Sequence, residues 1–383
     1  MEYRRFGKTE KEVSVITLGG MRFTKGWEKP KNEIPRETLD NAIFSLKRAL
    51  DGGINLIETA YGYMKSEHAM GMAFKELAVP RDNYFLMTKG NPATAEEVRP
   101  LIEEQLEVLG TDHFDFYAWH GLNNRALLDS SCATGGAVEE LLKLKEEGLI
   151  GHVGFSSHGR VEVISDAIRT DLFEFVNLHY YYFFQRNRAA IDLAELKDMG
   201  VFIISPNDKG GQLYKAPPLL RSLTEPYTPI QWNARFCLGT PAVHTLSFGI
   251  TEESHFKEME GLFPLSLPLP RLDREIQCRL DQRYLEDPYS SFEGYGQQED
   301  PTGINIPEFL RLRSLWKCFD MTEFARYRYN GHSPDDHWVT GSLAFPELVE
   351  KVDVSRVPEG VDLKALLHET HEHLYVPKEE KKD

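Results

Sequence analysis

Eight times along this chain a short apolar run, rich in β-branched and aromatic residues, gives way to a longer stretch with apolar residues at helical spacing. The runs are VSVITLG, INLIET, YFLMTK, FDFYAWH, HVGFSS, FEFVNLHY, VFIISP and HTLSFG. Between and after them lie helical segments such as PRETLDNAIFSLKRALDGG, SEHAMGMAFKEL, TAEEVRPLIEEQLEVLG and TEESHFKEMEG. Several close on Gly, which ends helices because it tolerates a left-handed backbone. Alternating βα units predict a parallel sheet, and eight of them over roughly 260 residues match a closed (β/α)8 TIM barrel. An open doubly wound sheet is the alternative, but the GxGxxG turn it needs after the first strand is absent.

Beyond residue 260 the character changes. GLFPLSLPLPRL is a short apolar linker with three prolines, and the remainder reads as helices separated by loops, among them IPEFLRLRSLWKCFDMTEFARYRYN and GVDLKALLHETHEHL. The expected division is a barrel over residues 1–260 and a mostly helical C-terminal extension over 261–383, with the final PKEEKKD frayed. A net charge of −16 argues against a nucleic-acid or anionic-membrane surface, which requires clustered Lys and Arg. The charged start has no signal-peptide core and no run of about 18 apolar residues occurs, so the expected location is cytoplasmic. Cys132, Cys237, Cys278 and Cys318 are far apart, as reduced structural thiols would be.

In a barrel of this kind the chemistry sits at the C-terminal ends of the strands. The polar residues falling there are Glu58 and Tyr63 after the second strand, Lys89 at the third, His120 at the fourth, and Ser156 and Ser157 at the fifth. Asn177 lies on the sixth, and Ser205, Lys209 and Thr251 follow the last two. A phenol is a useful acid near neutral pH only if its pKa, about 10 unperturbed, is brought down, as a nearby ammonium does. Lys89 is placed to do this for Tyr63, Glu58 to hold the ammonium, and His120 to donate to an oxygen acquiring charge. Such a group protonates a carbonyl oxygen while something else attacks the carbon. No side chain supplies hydride, so a reduced cofactor is implied.

These residues carry a resemblance to the aldo/keto reductases. The stretch ETAYGYMKSEHAMG is similar to the family's first signature, an acid, Thr and Ala followed by a Tyr-containing turn and a Ser-Glu pair. FLMTKG, FDFYAWHG and GLIGHVGFSSH follow in the family's order. The resemblance spans residues 1–260 and implies an NAD(P)H-dependent oxidoreductase that reduces an aldehyde or ketone, or oxidises the matching alcohol. It implies Tyr63 as proton donor, Lys89 lowering its pKa, Glu58 paired with Lys89, and His120 orienting the carbonyl. The implied cofactor is NADP(H) ahead of NAD(H), held by Gly20, Met21, Ser156, Ser157, Asn177, Ser205, Lys209, Gly211, Leu213, Gly249, Thr251 and His255. Trp27, Trp119 and Tyr181 are expected at the substrate. A cofactor-binding sensor with little or no catalysis is the alternative on the same barrel.

Three departures from the family pattern stand out. Its acid is usually Asp, and here it is Glu58; Asn177 replaces a usual Gln; and SFGITEESHFKEME has His255 among glutamates where an Arg commonly grips the 2′-phosphate. The extension is similar to the ferredoxin-like extension of some family members, but SSFEGYGQQEDPTGINIP has no cysteine, so no iron–sulfur cluster is expected. The histidines of HETHEHL do not have HExxH spacing, and no metal site is expected.

Overall fold

In the computed structural model, which describes residues 1–294, 297 and 299–377, the chain opens with an antiparallel pair, β1 (Tyr3–Arg5) and β2 (Glu12–Ser14). Eight parallel strands follow: β3 (Ile16–Gly19), β4 (Leu56–Glu58), β5 (Phe85–Gly90), β6 (Phe114–Trp119), β7 (Ile150–Ser156), β8 (Phe175–Leu178), β9 (Gly200–Ile203) and β10 (Thr245–Phe248). Each pairs with the next and β10 returns to β3, closing a (β/α)8 barrel. The helices α1 (Arg36–Asp51), α2 (Ser66–Leu77), α3 (Ala95–Leu109), α4 (Arg125–Ser131), α5 (Ala137–Glu146), α6 (Val161–Arg169), α7 (Arg188–Leu196), α8 (Pro218–Thr224), α9 (Pro229–Leu238) and α10 (Glu253–Glu260) connect or follow them. Every expected run overlaps a barrel strand. The helices α4 and α8, seven residues each, are too short to show a period. The first begins where the Asn124 side chain accepts the Leu127 N–H at 2.9 Å.

Phe6, Val13, Leu56, Met87, Phe116, Ala118, Phe175, Phe202 and Ile204 form one buried cluster. Alternation along β6 turns Phe116 and Ala118 to this core and Tyr117 away from it. The Phe6 ring, from the segment between β1 and β2, meets Phe116 edge-on at 5.3 Å between centroids.

The chain divides into two compact units, residues 1–210 with 230–269 and residues 211–229 with 270–383. The first contains the barrel, and its last residue, Leu269, lies within the proline-rich linker. The second contains α8, α11 (Arg271–Leu285), α12 (Ile306–Phe319), α13 (Thr322–Asn330), α14 (Pro346–Val349) and α15 (Leu363–Leu374). Asn305 caps α12 through the Glu308 N–H at 3.3 Å. The long stripe predicted there breaks at Asp320, whose backbone is left-handed at φ 57°. Buried Arg313 holds the unit together, bonded to Asp287 at 2.6 Å and Glu369 at 2.7 Å.

The histidines of α15 go to separate partners: His368 to Glu350 at 3.3 Å, His371 to the Tyr329 hydroxyl at 2.6 Å, and His373 onto the Trp316 ring. Among the described residues, no group of three or more His, Cys, Asp or Glu is placed to hold a metal ion. The tail expected to fray, residues 377–383, lies outside the described residues except for Pro377, as do three positions in the cysteine-free run.

Candidate active site

Strand register brings the acid and the amine together. Glu58 ends β4, Lys89 lies near the end of neighbouring β5, and both side chains point into the barrel, 3% and 1% exposed. The Lys89 ammonium is in contact with Glu58 Oε1 and donates to the Thr59 carbonyl at 2.8 Å. The other carboxylate oxygen, Oε2, accepts the Ser247 hydroxyl of β10 at 3.1 Å. Gly19 of β3 makes room for this arrangement: a Cβ there would stand 2.6 Å from Ser247 Oγ and 3.2 Å from Glu58 Oε2. An ion pair this dry repays its desolvation only when its remaining polar atoms are also satisfied, as these are.

Tyr63 reaches the same acid. The turn after β4 is held by the Tyr61 N–H on the Lys89 carbonyl and the Tyr63 N–H on the Ala60 carbonyl, both at 2.9 Å. This sets the Tyr63 hydroxyl 3.3 Å from Glu58 Oε1, with Lys89 Nζ 4.9 Å from the centre of its ring. His120, anchored by its N–H on the Gly90 carbonyl at 2.8 Å, packs edge-on to Tyr63 at 5.8 Å between centroids. The four residues singled out at three successive strand ends thus form one cluster.

The electrostatics differ from expectation in one respect. Burial raises the Tyr63 pKa, with Arg22 pulling the other way, so the net direction is upward. Lys89 approaches the ring face, while the hydroxyl is bonded to a carboxylate, which favours the neutral phenol. Burial also pushes the Lys89 ammonium well below its ordinary value, against the favourable contact with Glu58.

The next two strand ends hold the amide-binding candidates. Ser156 of β7 pairs with Asn177 of β8. Ser156 Oγ accepts the Gly121 N–H at 3.0 Å. The Ser157 hydroxyl is committed to its loop, donating to the Leu122 carbonyl at 2.7 Å and accepting the Gly159 N–H at 2.9 Å. Asn177 is fully buried; its Nδ2 lies 3.4 Å from Met87 Sδ and its Oδ1 has no hydrogen-bond partner among the described residues. A buried amide oxygen left unsatisfied costs about 1–3 kcal/mol, and an amide N–H of a bound molecule would satisfy it. The residues present fit a carboxamide.

The remaining candidates are more dispersed. Gly20 and Met21 form a turn with Arg22, whose guanidinium meets Asp208 at 2.6 Å. Met21 accepts the indole N–H of Trp27, which is 48% exposed, at 3.0 Å. Gly249 lies against the Arg22 side chain. Ser205 has a left-handed backbone, and Lys209 Nζ is 3.4 Å from His158 Nδ1. The Thr251 N–H points at His255 Nδ1 at 3.3 Å, beside Glu252 and Glu253 at the start of α10. Gly211 and Leu213 belong to the second unit. Tyr181 is buried and bonded to His179 at 2.5 Å. Alternation along β6 places Trp119 with Tyr117, whose hydroxyl reaches Gln105 of α3, so the lumen-facing residue at that strand end is His120. Sequence reasoning missed Ser247 and Arg22. Ser247 was accessible through the alternation of HTLSFG, whereas nothing in the sequence marks Arg22.

Comparison with known proteins shows the family. The chain is 28% identical to L-galactose dehydrogenase of Arabidopsis thaliana over 253 residues, covering 61% of this chain and 70% of that one. It is 31% identical to methylglyoxal reductase DkgB of Escherichia coli O157:H7, but over 31% of this chain and 43% of that protein. A solved aldo-keto reductase from Bacillus halodurans superposes with a TM-score of 0.59 at 19% identity, covering 73% of this chain and 96% of the other, a likeness of fold. The profile of the Aldo/keto reductase family matches residues 15–215 of the 383, more than half of the chain, which therefore belongs to that family.

Proposed function

We propose that this protein is an NAD(P)H-dependent carbonyl reductase in which Tyr63 is the proton donor. The observation that supports the reading best is the convergence of Glu58, Tyr63, Lys89 and His120 on one point in the barrel mouth. A reduced nicotinamide held beside these residues would supply the hydride. The chain's own task is to place a proton on the oxygen as that oxygen gains charge.

Tyr63 carries this proton at neutral pH because burial keeps its phenol un-ionised. Its bond to Glu58, 3.3 Å long, is weak enough to be exchanged for one to a substrate oxygen. Lys89, under the ring, stabilises the phenolate left behind, and His120 donates to the same oxygen. Asn177 Oδ1 and the Ser156 hydroxyl would hold the nicotinamide carboxamide, and Lys209 would meet the pyrophosphate. NADP(H) is the cofactor implied by the family resemblance, with His255 available to its 2′-phosphate. Glu252 and Glu253 at the same helix start keep that preference small. The relatives' names point to small polar carbonyl compounds, sugars or oxoaldehydes, as the substrate class.

Fluorescence titration with NADPH and NADH, followed by a panel of such carbonyls, tests the reading. Wild type should turn over at least one, and Tyr63→Phe should lower kcat by about a thousandfold while nucleotide affinity stays the same. Binding without turnover, unaltered by Tyr63→Phe, would favour a sensor.

A further inference from the structure

Ser66 and Glu67 open α2, and both are buried, 2% and 5% exposed. The Ser66 hydroxyl lies 2.8 Å from the hydroxyl of Thr59, the residue that follows Glu58 and whose carbonyl accepts the Lys89 ammonium. Glu67 Oε1 accepts the Thr88 hydroxyl at 2.6 Å and the Gln105 amide of α3 at 2.6 Å. Thr88 precedes Lys89, and consecutive side chains of a strand point to opposite faces. Thr88 therefore reaches outward to α2 while Lys89 reaches the lumen. Gln105 also approaches the Lys89 carbonyl at 3.3 Å, and the Tyr117 hydroxyl donates to Gln105 Oε1 at 2.8 Å, which fixes the amide end facing Glu67.

We propose that Glu67, together with Ser66, is the positioning element of the Lys89–Glu58 pair. From outside the barrel, the first turn of α2 grips the two strand ends that bring ammonium and carboxylate together inside it. The kinetic consequence rests on the reductase reading; the structural one rests on these hydrogen bonds alone.

A carboxyl is a costly way to make this grip. Burial pushes Glu67 up to about 7, against the hydrogen bonds from Thr88 and Gln105. Lys31 lowers the value and Glu104 raises it, and these two are themselves paired at 3.0 Å. His68, next along α2, is held below its ordinary value by burial. A neutral amide would accept the same two bonds without the desolvation cost. Ionised, Glu67 makes charge-assisted bonds roughly twice as strong as neutral ones, and 2.6 Å is short for such contacts. The grip therefore tightens as pH rises through neutrality.

The test combines kinetics with the 15N resonance of the Lys89 ammonium in lysine-labelled protein. Glu67→Ala should lower kcat by about tenfold or more with KM within about twofold, because small misplacement of a catalytic group acts on turnover. Glu67→Gln should recover most of kcat at pH 6 but lose the rise in kcat between pH 6 and 8. In wild type the Lys89 resonance should shift through an inflection near pH 7 that Glu67→Gln removes. If Glu67→Ala fails to fold, Thr88→Val removes one donor of the same grip and should move the same resonance. Wild-type kcat and an unmoved Lys89 resonance in these variants would overturn the inference. A wild type that reduces no carbonyl would overturn the reductase reading instead, and the resonance would still decide for or against positioning.

Discussion

Replacing Glu67 by Gln should stabilise the protein at alkaline pH and not at acid pH. The carboxyl titrates at about 7 in the fold against an ordinary 4.5, a difference of about 2.5 units and hence about 3 kcal/mol at 1.36 kcal/mol per unit. Because the folded value is the higher one, between these two pH values the native state holds a proton that the unfolded chain has released. The stabilising contribution of the neutral acid is thus complete below about pH 4.5, declines as pH rises through 7, and is absent above. Gln has no such term. Urea unfolding of both proteins, followed by tryptophan fluorescence at pH values from 4.5 to 8.5, gives the difference directly, since every other titrating group is common to the pair. The stability of Glu67→Gln relative to wild type should climb by about 3 kcal/mol across that range, with most of the change between pH 5 and 7. A difference that stays flat with pH would mean that Glu67 is solvated or paired, and the argument from its burial would fail.

Lys89→Met should cost about 3–5 kcal/mol at pH 8, because it leaves the Glu58 carboxylate buried without its cation. Urea unfolding should show the loss shrinking at acid pH as Glu58 takes up a proton. Asn177→Val removes the unsatisfied Oδ1, so nucleotide titration should show affinity weakened by about tenfold, the value of roughly one buried hydrogen bond. Glu58→Asp should lower turnover in steady-state assays, because the shorter acid cannot meet Lys89, Tyr63 and Ser247 together; undiminished turnover would mean that the site is not built around the longer acid.

The barrel was legible because its strands are buried on both faces and flanked by amphipathic helices, so each left a continuous apolar run of its own. Elements set by a single contact were not. The short helix α4 depends on one Asn124 cap, and the break between α12 and α13 on one left-handed residue, Asp320. Within the candidate site, the strand-end rule pointed to Glu58, Lys89 and His120 because each lies at the close of a readable run. Trp119 shows the limit of that rule, since proximity to a strand end does not determine which face a side chain takes. The direction of the Tyr63 pKa shift was equally hidden. It depends on how much water the folded turn excludes, whereas the sequence displays only the charges nearby.

Glu58 is where sequence and structure most need each other. In the sequence it reads as a departure, a longer acid where the family usually has a shorter one. In the fold, its carboxylate receives donors from three side chains: Lys89 and Tyr63 on one oxygen, Ser247 on the other. A relaxed acid would leave an oxygen unpaired or turn it to water, because a buried carboxylate without full partners costs several kcal/mol. The extra methylene is accommodated by the bare backbone at Gly19, where any side chain would collide with Ser247 and crowd the carboxylate. What looks like a loss of the family pattern at one position is thus coupled to a glycine on β3 and a serine on β10. A fully engaged charge beside an un-ionised phenol favours the proposed proton donation over the sensor reading.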